Sequence, residues 1–307
     1  MIITQTPLRI SLLGGNTDFP KYFNKYGGAC LTTTIDKYIY CIVKRRFDKE
    51  IWINYSIKEI VTDIKDIKHD LVRECMKLVG VYEGVEITFL SDIPSQGSGL
   101  GSSSAVTVGL LNALHNYIGE SVSARQLAEE ACKIEVDILK KPIGYQDQYA
   151  VALGGTNFIE FSNNFTSVFH ISNWNGEKLA LFYTGITRKA DKILSKMKLN
   201  KKILDKNKEL AYKAVDGGDL GALLNEYWWL KKALNKAVSN KFIDKTYTKA
   251  LDAGAIGGKI VGAGGGGFLL LVIPPELKRN VVDEIGLEEL PFNISHYGSR
   301  VIFNIEQ

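Results

Sequence analysis

Pro94-Ser95-Gln96-Gly97-Ser98-Gly99-Leu100-Gly101-Ser102-Ser103-Ser104-Ala105 sets three glycines and five serines in twelve residues. The apolar, β-prone run Val85 to Leu90 precedes it. After it, Leu110, Leu111, Leu114, Tyr117 and Ile118 recur at helical spacing, and Gly119 is placed to end the helix. The order is strand, glycine loop, helix. Glycines let backbone N–H groups turn toward one point, and a helix start adds unpaired N–H groups and partial positive charge. Together they make an anion site, most often for phosphate. A flexible Gly/Ser linker is the competing reading, but linkers seldom run straight into an amphipathic helix.

Working outward, 307 residues suit two domains or one large one, and 45% hydrophobic content supports real cores. A net charge of +4 gives no bulk drive toward nucleic acid but tolerates an anionic substrate. Cys30, Cys41, Cys75 and Cys132 are scattered and form no C-x-x-C pair, which predicts buried thiols in a reducing compartment. His69, His115, His170 and His296 show no zinc-binding spacing. The N-terminus does not read as a signal peptide, and no apolar run is long enough to span a bilayer, so the expected location is the cytoplasm.

Upstream, a strand over Met1–Leu13 runs into Gly14-Gly15-Asn16-Thr17-Asp18. Arg9 stands among apolar residues and needs a partner. A surface turn with a capping Asp is the simpler reading of that loop alone. Strands follow at Ala29–Ile35, Tyr38–Arg45 and Ile51–Tyr55, then a helix over Asp70–Val79. Downstream, Ser123-Ala124-Arg125-Gln126 fits a capping box, and Leu127, Ala131, Ile134 and Ile138 mark a buried helix face. Glu135 falls on or beside that face; a carboxylate there asks for a cation, and the alternative is a Glu at the edge of a solvated face. Asp147, in Gly144-Tyr145-Gln146-Asp147-Gln148, reads by itself as a helix-start Asp. A polar stretch around 161–175 marks the division into residues 1–165 and 166–307. A long helix is expected over Asp219–Val238, with Trp228, Trp229, Leu230 and Leu234 packing. Gly262, Gly264 and Gly267 match G-x-G-x-x-G, but an apolar strand follows instead of a helix, so a dinucleotide fold is excluded. Lys259 to Phe268 reads as a strand–turn–strand with bare backbone suited to close approach of a ligand.

Three stretches, Pro7 to Asp18, Pro94 to Ala105 and Lys259 to Phe268, together resemble the motifs of the GHMP kinases, in that family's order and across most of the chain. The resemblance implies an α+β, two-domain GHMP kinase fold: a ribosomal-protein-like N-terminal domain, a ferredoxin-like C-terminal domain and a site between them. It implies ATP and Mg2+ as cofactors. Ser95, Gln96, Gly97, Ser98, Gly99, Leu100, Gly101, Ser102 and Ser103 would wrap the ATP phosphates, and Ser103 and Glu135 would hold the metal. Asp147 resembles the family's catalytic aspartate, with Arg9 beside it to keep it ionised and to offset charge building on the phosphoryl oxygens. The implied substrate contacts are Gly14, Gly15, Asn16, Thr17, Asp18, Gly144, Tyr145, Arg188, Gly264 and Gly265. The Gly-Gly-x-Thr-Asp form of the first motif departs from the galactokinase Gly-Glu-His-Thr-Asp. It looks like the branch of sugar 1-kinases acting on heptose 7-phosphates, with fucokinases nearby, and Arg188 would meet the far phosphate. Other sugar 1-kinases and a non-catalytic kinase-like sugar sensor are the alternatives. The implied partners are a small-molecule sugar phosphate and ATP, with no nucleic acid and no membrane; a homodimer is left open.

Overall fold

The computed structural model describes residues 1–94, 97–172, 178–187, 193–195 and 200–305. Its strands are β1 (Ile2–Leu13), β2 (Gly28–Arg45), β3 (Ile51–Asn54), β4 (Lys58–Val61), β5 (Val85–Ser91), β6 (Thr156–Phe161), β7 (Thr166–His170), β8 (Leu179–Tyr183), β9 (Gly257–Ile260), β10 (Phe268–Val272), β11 (Glu288–Leu290) and β12 (Arg300–Asn304). The helices are α1 (Pro20–Tyr26), α2 (Asp70–Val79), α3 (Ser102–Tyr117), α4 (Ala124–Cys132), α5 (Gln146–Leu153), α6 (Lys201–Val215), α7 (Leu220–Leu234), α8 (Lys241–Asp252) and α9 (Lys278–Ile285).

β2 organises the first sheet. One of its edges follows β1 along its length; on the other, its first part pairs with β6 and its last part with β5. The two strands expected at 29–35 and 38–45 are therefore one. Asp36 and Lys37 are extra residues in its pairing with β1, where the register shifts between Pro7 and Leu8. β3 joins β5 in parallel and β4 closes that edge. The expected division at residue 165 is crossed by strand pairing. β7 pairs with β6, and β12 returns from the far end of the chain to pair with β1, so both belong to the first sheet.

The second sheet is antiparallel, in the order β11-β8-β10-β9. Both its faces are covered, which explains the unbroken apolar run of β10. Leu269 and Leu271 face a core shared with Trp228 of α7, Tyr247 of α8 and Val281 of α9. Phe268, Leu270 and Val272 point the other way, into a core that also holds Leu8, Leu12 and Leu31 of the first sheet. The two sheets thus share one hydrophobic interior. On α7, Trp228 is fully buried but Trp229 is 59% exposed, correcting the expectation that both pack. Neighbours on a helix point about 100° apart, so one buried stripe seldom takes both. The helix there also stops at Leu234, with a short 3-10 turn over Lys236–Val238. All four cysteines are buried and free, as their spacing predicts.

Candidate active site

α3 begins at Ser102, with Gly101 as its N-cap and no side-chain cap, so the loop residues and the helix's first N–H groups face open space. That space is a cleft of about 300 Å3, walled by segments distant in sequence. The glycine loop contributes Gly97, Ser98, Gly99, Gly101, Ser102 and Ser103; the first-motif loop, Gly15, Asn16 and Asp18; and the start of α5, Gly144, Gln146 and Asp147. Tyr227 and Lys231 of α7, with Gly262 and Ala263, form the wall from the second sheet's side.

Arg9 has the partner its burial demands. Its Nε and Nη2 donate to Asp147 Oδ1 and Oδ2 at 2.7 and 2.5 Å, and its Nη1 donates to the Gly99 carbonyl at 2.7 Å. The guanidinium therefore ties the carboxylate to the phosphate-type loop in one fixed fork. Asp147 keeps 25% of its side chain exposed in the cleft, while Arg9 keeps only 5%. The helix-start reading of Asp147 is also right: it lies in the first turn of α5.

Asp18 lies across the cleft. The Gln146 N–H donates to its Oδ2 at 3.1 Å, and the Tyr145 N–H to its backbone carbonyl at 3.0 Å. Burial first, and then the neighbouring Asp147 charge, push its carboxyl up to about 6. Gly144 is required by this approach: a Cβ there would lie 2.0 Å from Asp18 Oδ2. Thr17 does not line the cleft; its hydroxyl lies 2.7 Å from the Gly14 carbonyl and 3.0 Å from that of Ala29, fixing the loop from behind. Gly14 and Tyr145 are likewise behind the cleft surface.

Glu135 is fully enclosed. α4 passes into a π-helical turn over Lys133–Ile138, which carries Glu135 inward. Its carboxylate accepts from Ser103 Oγ, and from Ser104 Oγ and Gln148 Nε2 at 2.8 Å each. Burial pushes its carboxyl up, and these bonds oppose the shift. The solvated-edge alternative is excluded. Of the anticipated capping box, only the Ser123 half forms: its Oγ accepts from the Gln126 N–H at 3.1 Å, whereas the Gln126 side chain donates to Glu130.

The third glycine stretch does something other than expected. A Cβ on Gly262 would lie 2.6 Å from the Gly99 carbonyl oxygen, and one on Gly267 2.4 Å from that of Ser98. The bare backbone there admits the other glycine loop, backbone to backbone. Gly264 and Gly265 instead approach Val238 and Ala237 and do not line the cleft; Gly262 and Ala263 do. Leu100 is buried behind the loop, with its carbonyl accepting the Arg9 N–H at 2.9 Å. Ser95, Gln96 and Arg188 lie outside the described residues. We predict that Gly262→Ala lowers the melting temperature by several degrees and raises KM for the nucleotide, because neither backbone can yield. Unchanged melting and kinetics would show that the loops can separate.

Sequence reasoning missed Ser11, Lys141, Gln146, Tyr227 and Lys231. Gln146 sits within a segment already singled out, and its Oε1 accepts from Ser11 Oγ at 3.0 Å. Tyr227 and Lys231 share one face of α7 at i, i+4 spacing, a signal that reads equally as core. Lys231 Nζ donates to the carbonyls of Gly262 and Ile260 at 2.5 and 3.2 Å. A second groove, about 860 Å3 and lined by Tyr55, His69, Phe89 and Leu90, shares Ser102, Ser103 and Lys141 with the first.

The comparisons agree with this geometry. Residues 66–155 match the family model of the GHMP kinases N-terminal domain, and residues 211–289 that of the GHMP kinases C-terminal domain. The D-glycero-alpha-D-manno-heptose 7-phosphate kinase of Campylobacter jejuni is 34% identical over 94% of each chain. An L-fucokinase/L-fucose-1-P guanylyltransferase of Bacteroides fragilis is 26% identical over 87% of this chain and 34% of that longer protein. The crystal structure of a D-glycero-D-manno-heptose 1-phosphate kinase from Bacteroides thetaiotaomicron superposes with a TM-score of 0.81, 26% identity and full coverage of both chains. With its three motifs drawn into one cleft, both family models matched and a relative alike over nearly its whole length, this chain belongs to the GHMP kinases.

Proposed function

We propose that this protein transfers the γ-phosphoryl group of ATP to the anomeric hydroxyl of D-glycero-D-manno-heptose 7-phosphate, giving the 1,7-bisphosphate. The observation that carries the reading is Asp147, exposed in the cleft between the glycine loop and Asp18, with both its oxygens fixed by Arg9. Phosphoryl transfer is mostly positioning and charge neutralisation. Asp147 accepts the proton of the attacking hydroxyl or orients it, and an anomeric hydroxyl, more acidic than an ordinary alcohol, eases that task. Asp18 holds a neighbouring sugar hydroxyl. The glycine loop and the start of α3 bind phosphate oxygens, and the groove beyond Ser103 has the size and aromatic lining for the nucleoside. Arg188 is our candidate for the 7-phosphate. The Campylobacter relative's name supports the choice of sugar.

The donor set also fits Mg2+. Ser103 lines the cleft and its hydroxyl donates to the buried Glu135 behind it, so the pair would present hard oxygens to the ion. Such a pair suits an ion whose other ligands are phosphate oxygens and water. When bound, the ion supplies charge neutralisation at those oxygens. Glu135 holds the Ser103 hydroxyl in place for it.

Measuring ATP consumption against a panel of free and phosphorylated sugars, including the heptose 7- and 1-phosphates, tests the assignment. Fastest turnover with the 7-phosphate is expected. Preference for a free hexose would move the protein to another sugar 1-kinase branch, and binding without product would make it a sensor.

A further inference from the structure

Lys259 is a buried cation that the chemistry above does not use. It stands on β9, 1% exposed, with its Nζ donating to the Leu12 carbonyl at 2.7 Å and lying 4.4 Å from the centroid of the Tyr227 ring. Leu12 belongs to the first sheet and Lys259 to the second. The Leu12 carbonyl is open to this bond for a local reason: the β1–β2 register shifts between Ser11 and Leu13, leaving Leu12 without a partner on β2. Two residues later the Gly14–Asp18 loop begins. Tyr227 itself meets this loop, since a Cβ on Gly15 would lie 2.6 Å from its Oη. The ammonium meets a carbonyl and an aromatic face rather than a carboxylate, a costly choice for an interior position where an apolar side chain would pack without penalty. Burial, then the charges of Lys231 and Arg9, push it well below the ordinary lysine range.

We propose that Lys259 is a positioning residue: by gripping the Leu12 carbonyl and the Tyr227 ring, it fixes the Gly14–Asp18 loop against the second sheet and so sets the sugar side of the cleft. It touches no reacting atom. Its effect falls on the substrate held by Asn16 and Asp18, while the nucleotide loop is held separately by Arg9 and by Gly262.

Two variants and two readouts test this. Lys259→Met removes donor and charge; Lys259→Gln keeps a donor for Leu12. In the substrate-free protein, amide exchange of peptides covering residues 13–18 should quicken on the order of tenfold in Lys259→Met, with exchange in α3 unchanged. Lys259→Gln should fall between Lys259→Met and the parent, and it carries the test alone if Lys259→Met does not fold. The kinetic arm rests on the sugar-kinase reading: KM for the sugar phosphate should rise about tenfold with KM for ATP within about twofold. Unchanged exchange over 13–18, or the two KM values rising together, would overturn the proposal. The exchange arm needs no sugar, so a parent enzyme inactive on the heptose phosphate would sink the functional reading while the strut is still decided.

Discussion

Asp147→Asn should lower kcat by about a hundred- to ten-thousand-fold while leaving ATP affinity within a few-fold. The substitution keeps size and one acceptor oxygen, so Arg9 retains a partner on that side and the cleft stays assembled. What it removes is the negative charge and the second acceptor. Those are what a proton-accepting or hydroxyl-orienting group needs when the acceptor oxygen attacks. On the proposed reading the nucleotide phosphates would meet the glycine loop and the start of α3, which this change reaches only through Arg9, and Arg9 keeps its own bond to the Gly99 carbonyl. Rapid-quench or steady-state kinetics, with ATP binding measured separately, separates the two effects. Near-parental turnover would remove Asp147 from the mechanism.

Asp18→Asn should stabilise the fold and damage the enzyme at once. Burial raises the Asp18 carboxyl from 3.8 to about 6, so the folded chain holds its proton more tightly than the unfolded chain does. Below about pH 4 both states are protonated and the group costs nothing. Above pH 6 the folded state carries an ionised carboxylate in a buried place beside Asp147, at a cost on the order of 3 kcal/mol. Asn carries no charge at any pH and can still accept the Gln146 N–H. The melting temperature of Asp18→Asn should therefore exceed the parent's at pH 8, and the difference should shrink toward zero as pH falls through 6 to 4. KM for the sugar should rise at pH 8, where the lost carboxylate would have accepted a hydroxyl, and the parent's own KM should rise as pH drops below 6. A variant less stable than the parent at pH 8 would mean that Asp18 is held by a cation the fold provides.

The strongest parts of the site were legible because they broke a local rule. Arg9 among apolar residues demanded a partner, and Asp147 supplies it from 138 positions away. The glycine loop between a strand and a helix announces an anion site, though α3 starts at Ser102, inside the glycine–serine stretch and ahead of the apolar pattern from Leu110. Glu135 was ambiguous by spacing; the π-helical turn that turns it inward has no signal in a 3.6-residue pattern. Other features were hidden because they depend on distant chain. Nothing in Arg300–Asn304 says that it pairs with Ile2–Gln5, so a cut at 165 missed the returning strand. Lys231 and Lys259 were passed over because lysines usually lie at the surface. Their burial is explained only by the carbonyls of Gly262 and Leu12, which the folded arrangement brings to them. The bare backbone at Gly262 and Gly267 suits close approach, but sequence cannot show that the approach is made by the other glycine loop as well as by the cleft that Gly262 lines.

On the proposed function, the converged cleft directs the phosphoryl group onto a sugar hydroxyl beside Asp147. Phosphorus NMR of a mixture of the protein, ATP, Mg2+ and D-glycero-D-manno-heptose 7-phosphate tests it most directly. A new anomeric phosphate signal should grow in step with ADP, with the original 7-phosphate signal conserved. ATP passing to ADP and inorganic phosphate with the sugar unchanged, or a new ester at another carbon, would contradict it.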